Sequence, residues 1–232
     1  MDLQSKTYIE SIQTVEADFM QKVYLWMTLA LSLTGFVAYR TTQSEFLLGL
    51  IFGSSFGFIG IILVELALVF WISSGIQRIS SNMAIGLFLL YSVLNGFTLS
   101  ILLIAYTGAS VASTFFITAG MFGAMSVYGY STKQDLSSWG NLLFMALIGL
   151  ILASFVNIFL QSAGLYWIIS YVGVLVFVGL TAFDTQKIKQ LAAQVIAESE
   201  VGRKVAILSA LTLYLDFINM FIFMLRIMGN RR

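Results

Sequence analysis

Seven long apolar stretches, divided by short polar ones, set the pattern of this chain. A helix that crosses a bilayer needs about 20 mostly apolar residues. Stretches of that kind cover residues 23–39, 47–73, 83–105, 108–129, 141–160, 165–183 and 206–227. The connections RTTQSE, SSGIQRISSN, YTGAS, YSTKQDLSS and QSAG are short. The segment from Thr185 to Lys204 is longer and polar, yet Ile188, Leu191, Ala192 and Val195 recur in it at helical spacing. The sixth helix is therefore expected to run on beyond the membrane for two or three turns and to stop near Gly202. Gly53 and Gly57, with Gly60 behind them, form a G-x-x-x-G in the second stretch, a spacing that favours close packing inside a helix bundle.

The first 22 residues, MDLQSKTYIESIQTVEADFMQK, are polar and carry Asp2, Glu10, Glu16 and Asp18. A signal peptide begins basic and turns apolar at once, which this segment does not. It reads as a cytoplasmic leader, helical near the membrane, ahead of one seven-helix membrane domain over residues 23–232. Tyr8 and Phe19 are either its interfacial aromatics or part of a solvated tail.

Composition narrows the class. The chain of 232 residues is 59% hydrophobic and 10% charged, whereas a soluble domain carries about 25% charged residues. It is expected to be an all-α integral membrane protein. A net charge of +1 offers no basic surface for nucleic acid. Cysteine, histidine and proline are all absent. Thiol chemistry, imidazole metal sites and Ser–His nucleophiles are thereby removed. Any pH sensing falls to carboxylates, and any helix break to Gly, Ser or inserted water.

Lysine and arginine set the orientation. Lys6, Lys22, Arg78, Lys133, Lys187, Lys189, Arg203 and Lys204 collect on the N-terminal side, and Arg40 lies opposite. The N-terminus is expected in the cytoplasm. Arg226, Arg231 and Arg232 pose a conflict. Seven full crossings put them outside, against the charge bias, whereas a last segment that entered and returned would bring them inside. That segment has no Gly or Pro on which to turn, which favours crossing and leaves the charge bias unexplained.

The candidate chemistry lies in lone polar groups within apolar runs. Asp184 ends GVLVFVGLTAFD, and Asp216 interrupts LTLYLDFINMFIFML. A charged side chain at the centre of a membrane helix costs roughly 2.5–3.5 kcal/mol on insertion scales. If the two helices are neighbours, the two carboxyls form a coupled pair that shares a proton when acidic and separates or ionises when alkaline. The same oxygens suit a hard cation such as calcium. The plain alternative is that each aspartate anchors its own helix, Asp184 beside Lys187. Glu65, inside GIILVELALVFW, either lines a cavity or bonds a neighbouring helix. Arg78, in the next loop, is an anchor on the cytoplasmic side or a gating group. Asn95, with Ser92, Thr98 and Ser100 nearby, Asn157 and Asn219 are further polar positions in the spans. Tyr214, two residues from Asp216, points elsewhere.

GLTAFDTQKIK (Gly179–Lys189) and ALTLYLDFINMFIFMLRIMGNRR (Ala210–Arg232), together with VELALVFWIS and GLFLLYSVLNGFTLS, resemble the Bax-inhibitor or TMBIM family in its bacterial form. The resemblance spans the whole membrane region. It implies seven transmembrane helices with the last one central and surrounded by the other six. It also implies a pH-sensitive calcium leak in a bacterial inner membrane. Asp184 and Asp216 would be the pH-sensing pair, Arg78 a latch on that pair in the shut state, and Glu65 part of the ion path. No cofactor is implied beyond calcium as the permeant or bound ion.

Other readings stay open. A scaffold regulating partner membrane proteins, in cell death or protease modulation, and a cation/proton exchanger both accommodate the same carboxylates. Intramembrane aspartyl proteases carry a G-x-G-D string and a Pro-Ala-Leu string. Here Thr-Ala-Phe precedes Asp184 and proline is absent, so the chain is not expected to be an enzyme.

Overall fold

The computed structural model describes residues 3–195 and 199–232, with side chains from Thr14 onward except that of Ser55. Met1, Asp2 and residues 196–198 lie outside the described residues, as do the side chains of Lys6, Tyr8 and Glu10. The elements are α1 (Leu3–Thr42), α2 (Glu45–Phe52), α3 (Ser55–Gly75), α4 (Ser81–Ala105), α5 (Gly108–Ser131), α6 (Ser137–Leu160), α7 (Ala163–Ala192) and α8 (Glu200–Met228). Among the described residues no strand forms. Seven of the helices are long and apolar enough to cross a membrane. The protein is an all-α integral membrane protein with seven membrane-spanning helices.

Several boundaries differ from the expectation, each for a local reason. The leader continues without interruption into α1. Phe19 is fully buried, with Met20 and Val23 beside it in the core, so it is neither interfacial nor solvated. The second apolar stretch breaks at Gly53–Ser54. Gly53 caps α2, and Ser54, in extended conformation, accepts the Gly57 N–H at 3.1 Å to start α3. Gly53 and Gly57 therefore lie on different helices and form no continuous packing ridge. The sixth span runs on past residue 183 for about two to three turns, as expected, but stops at Ala192 rather than near Gly202. Ser199 accepts the Gly202 N–H at 2.9 Å and opens α8, so Gly202 begins a helix instead of ending one. The α8 helix is 29 uninterrupted residues, about 43 Å long, and does not turn back within the membrane.

The chain forms two compact units. The first comprises Met1–Ala105 and Ile188–Tyr214, and the second comprises Tyr106–Lys187 and Leu215–Arg232. In the first, α1 packs along α4, and α3 packs on α4 as well. Gly96 permits the α1–α4 approach, since a Cβ there would stand 2.7 Å from the Val37 Cβ and 2.8 Å from the Thr34 carbonyl oxygen. Glu200 ties the start of α8 to the start of α4, accepting the Ser81 N–H at 2.6 Å and the Ser81 hydroxyl at 2.8 Å. A carboxylate at that helix N-terminus is favoured by the helix dipole.

In the second unit, α5 and α7 meet where a Cβ on Gly129 would run into the carbonyl of Ala182. Phe217 of α8 lies 5.5 Å, centroid to centroid, from both Phe115 and Phe122 of α5. Burial is uneven along the chain: 67% of the most apolar stretch of α8 is buried against 6% of that of α6. The loop from α5 to α6 turns on Asp135, whose carboxylate accepts the Ser137 N–H at 2.9 Å. Bonds from Ser137 hold the exposed Asp135 carboxyl below the usual carboxylate range.

Candidate functional site

Asp184 and Asp216 meet in the second unit. Asp184 lies on α7 and is partly buried, while Asp216 lies on the second half of α8 and is 4% exposed. Their carboxyl groups hydrogen-bond one another. A bond between two carboxyls requires a proton on one of them, because an ionised carboxylate only accepts. Lys187, one turn along α7, adds its charge beside Asp184 while its ammonium rests 5.9 Å from the Phe183 ring centre. The pairing and the Lys187 contact coexist. Asn219 does not join the pair, since its amide donates to the Leu215 carbonyl at 2.8 Å.

Gln186, unremarked in the sequence, steadies this part of α7. It is buried, accepts the Leu136 N–H at 2.9 Å and donates to the Gln134 carbonyl at 2.8 Å. It thus clamps the α5–α6 loop to α7 two residues beyond Asp184. The DTQ string held this residue in view, but an amide whose partners are distant backbone atoms leaves no periodic mark.

The buried face of α5 carries Ser110, Thr114, Thr118, Phe122, Ser126 and Gly129. Most hydroxyls on these helices bond back to their own backbone, as Ser92, Ser154, Ser170, Thr181 and Thr212 do. Those of Thr114, Thr118 and Ser126 do not and, like Asp216 Oδ2, have no hydrogen-bond partner among the described residues. All four belong to the second unit.

Glu65 belongs to the first unit. It sits on the narrow buried stripe of α3 with Leu68 and Ile72, while most of that helix is exposed. Thr98 Oγ1 donates to its carboxylate, and Asn95, whose Nδ2 donates to the Tyr91 hydroxyl at 3.4 Å, stands beside it. From Asn95 the network continues through Tyr214, whose hydroxyl donates to Asn95 Oδ1 at 3.1 Å and lies 2.7 Å from Thr34 Oγ1. Thr34 in turn donates to the Ser92 carbonyl at 2.8 Å. Tyr214 thus points away from Asp216, as its position on the helix requires, and helps hold three helices through one buried hydroxyl. Arg78 is exposed in the turn after α3, its backbone N–H bonded to the Gly75 carbonyl at 2.8 Å. Asn157 serves a turn: its Oδ1 accepts the Ser162 N–H at 3.0 Å where α6 ends.

A carboxyl pair on the last two long helices, under the strings AFDTQ and YLDFIN, is the feature to set beside known proteins. The model of the family described as "Inhibitor of apoptosis-promoting Bax1" matches residues 16–232. The chain belongs to the Bax inhibitor family. It is 55% identical over 215 residues to the inner membrane protein YbhL of Escherichia coli, covering 92% of each chain. It is also 46% identical over 228 residues to the uncharacterized protein RP147 of Rickettsia prowazekii, covering 98% of this chain and 94% of that one. An uncharacterized protein of Borreliella burgdorferi is 44% identical over 218 residues, with 94% of each covered.

Proposed function

We propose that this Bax inhibitor family member passes calcium down its gradient across the membrane, under control of the Asp184–Asp216 pair. The observation that carries the reading is the pair itself: two carboxyls bonded to one another inside an apolar unit, one of them buried. While one proton is shared, the bond holds α7 to α8. When it is lost, two like charges are left facing each other, and the contact loosens. The pair is therefore both a link between helices and a proton-dependent one.

The unpartnered hydroxyls of α5 support the same reading. A polar group without a partner inside a bilayer costs several kcal/mol, and water or a passing hydrated cation satisfies it. Calcium takes about six to eight oxygen ligands. Among the described residues no group of three or more Asp, Glu, His or Cys side chains is arranged to hold a metal. Two carboxyls and a row of hydroxyls suit an ion in passage better than one in storage. Glu65, in its buried network, is assigned to the ion path, and Arg78 to gating. The protein resides in an inner membrane with its N-terminus in the cytoplasm, needs no cofactor and is not an enzyme.

Calcium release from loaded proteoliposomes, with a pH dye inside, tests the leak against exchange. A leak gives calcium efflux with no stoichiometric proton uptake. Proton uptake locked to efflux would make the protein an exchanger. No efflux from folded protein would leave the scaffold reading.

A further inference from the structure

A basic basin in the second unit is not used by the carboxyl pair. It encloses about 540 Å³ where α6 ends, α7 begins and α8 ends, and its lining includes Asn157, Ser162, Tyr166, Trp167, Arg226 and Arg231. No carboxylate lines it. Both guanidiniums flank one ring: Arg226 lies 5.6 Å and Arg231 lies 5.9 Å from the centre of Tyr166. Arg231 Nη2 also donates to the Tyr166 hydroxyl at 3.0 Å and lies 5.8 Å from the Tyr106 ring, while Arg226 stands 5.2 Å from that of Phe223. Aromatic faces fix the positions of these cations without neutralising them.

The location sharpens the point. With seven crossings, these arginines stand on the face opposite Lys133, Lys187, Lys189, Arg203 and Lys204. Membrane proteins avoid basic residues on the translocated side, so two ordered ones there call for a ligand. Arginine pairs are suited to phosphate oxygens, which they bind through forked N–H donors. Free phosphate and a lipid headgroup share that chemistry, and the surroundings favour the lipid. The basin opens at the ends of the spans. Trp167 stacks on Tyr171 at its edge, 6.0 Å between ring centres, as interfacial aromatics do. From there Ile168 and Leu175 continue along α7, 60% and 70% exposed, as a track for an acyl chain.

We propose that this basin binds the phosphate of an anionic phospholipid, with Arg226 and Arg231 as its cationic clamp. The test is native mass spectrometry of the full chain released from nanodiscs of equal phosphatidylglycerol and phosphatidylcholine. Wild type is expected to retain phosphatidylglycerol in preference by about tenfold, since each basic residue near a membrane surface contributes several-fold. Arg226→Gln with Arg231→Gln is expected to lose that preference. Arg40→Gln, which removes a basic residue outside the basin, is expected to keep it. Equal retention of both lipids by wild type would overturn the proposal whether or not the double variant folds. An unchanged preference in the double variant would overturn it as well. Displacement of the bound lipid by millimolar inorganic phosphate would do the same, making the basin a site for the free anion.

Discussion

At the scale of single residues, the protein turns on side chains whose polarity contradicts their surroundings. Asp184 and Asp216 bond one another in an apolar unit, and Glu65 is held by Thr98. Replacing Glu65 by Ala removes an acceptor that the Thr98 hydroxyl uses alongside the Leu94 carbonyl and leaves a gap on the buried stripe of α3, and it is expected to cost about 1–3 kcal/mol. Glu65→Gln keeps most of the bonding and is expected to melt within a few degrees of wild type in detergent while altering flux. Equal melting of the two variants would detach Glu65 from the network. Tyr214→Phe removes the hydroxyl that lies between Thr34 and Asn95 and is expected to cost a similar 1–3 kcal/mol, read as a lower thermal midpoint. If Arg78 is the latch, Arg78→Ala raises the leak at acidic pH, and unaltered flux from folded protein would return it to an anchor. The aspartates were legible in the sequence because a carboxylate in an apolar run is anomalous by itself. Gln186 and Tyr214 were not, because their importance lies in partners far along the chain and each looks ordinary among its neighbours.

At the scale of the elements, packing depends on where helices approach closely and where they stop. Gly129→Ala puts a methyl against the Ala182 carbonyl, two residues before Asp184. It is expected to cost about 1–3 kcal/mol and to disturb the pH response of calcium flux at the same time. A loss of stability with an unaltered pH response would separate the α5–α7 contact from the carboxyl pair. The seven spans were readable because twenty apolar residues in a row have few other uses. The break in the second span was not, since the run stays apolar through Gly53 and only the Ser54 cap interrupts it. Glycine is a common stop signal, which points to Gly202 as the end of the sixth helix. Ser199 makes Gly202 part of a start.

At the scale of the whole molecule, a single unbroken α8 decides the course of the chain. If all seven long helices cross, the loop bearing Lys133 and the tail at Arg232 lie on opposite faces of the membrane. The natural chain has no cysteine, so Lys133→Cys and Arg232→Cys each create a single reporter. In intact cells an impermeant maleimide is expected to label the second and spare the first. Labelling of neither or both would place the two on one side. Charge counting could not resolve this from sequence, because the arginines of the tail oppose the other basic residues. Their places around Tyr166 give them a reason to be there that a count does not contain.

The central claim is that a shared proton between Asp184 and Asp216 controls calcium passage. Its most direct test is calcium flux into proteoliposomes at about pH 6 and pH 8, for wild type and for Asp216→Asn, which leaves only one of the pair able to titrate. The account predicts flux that changes with pH in wild type and hardly changes in the variant. The same pH dependence in both proteins would contradict it.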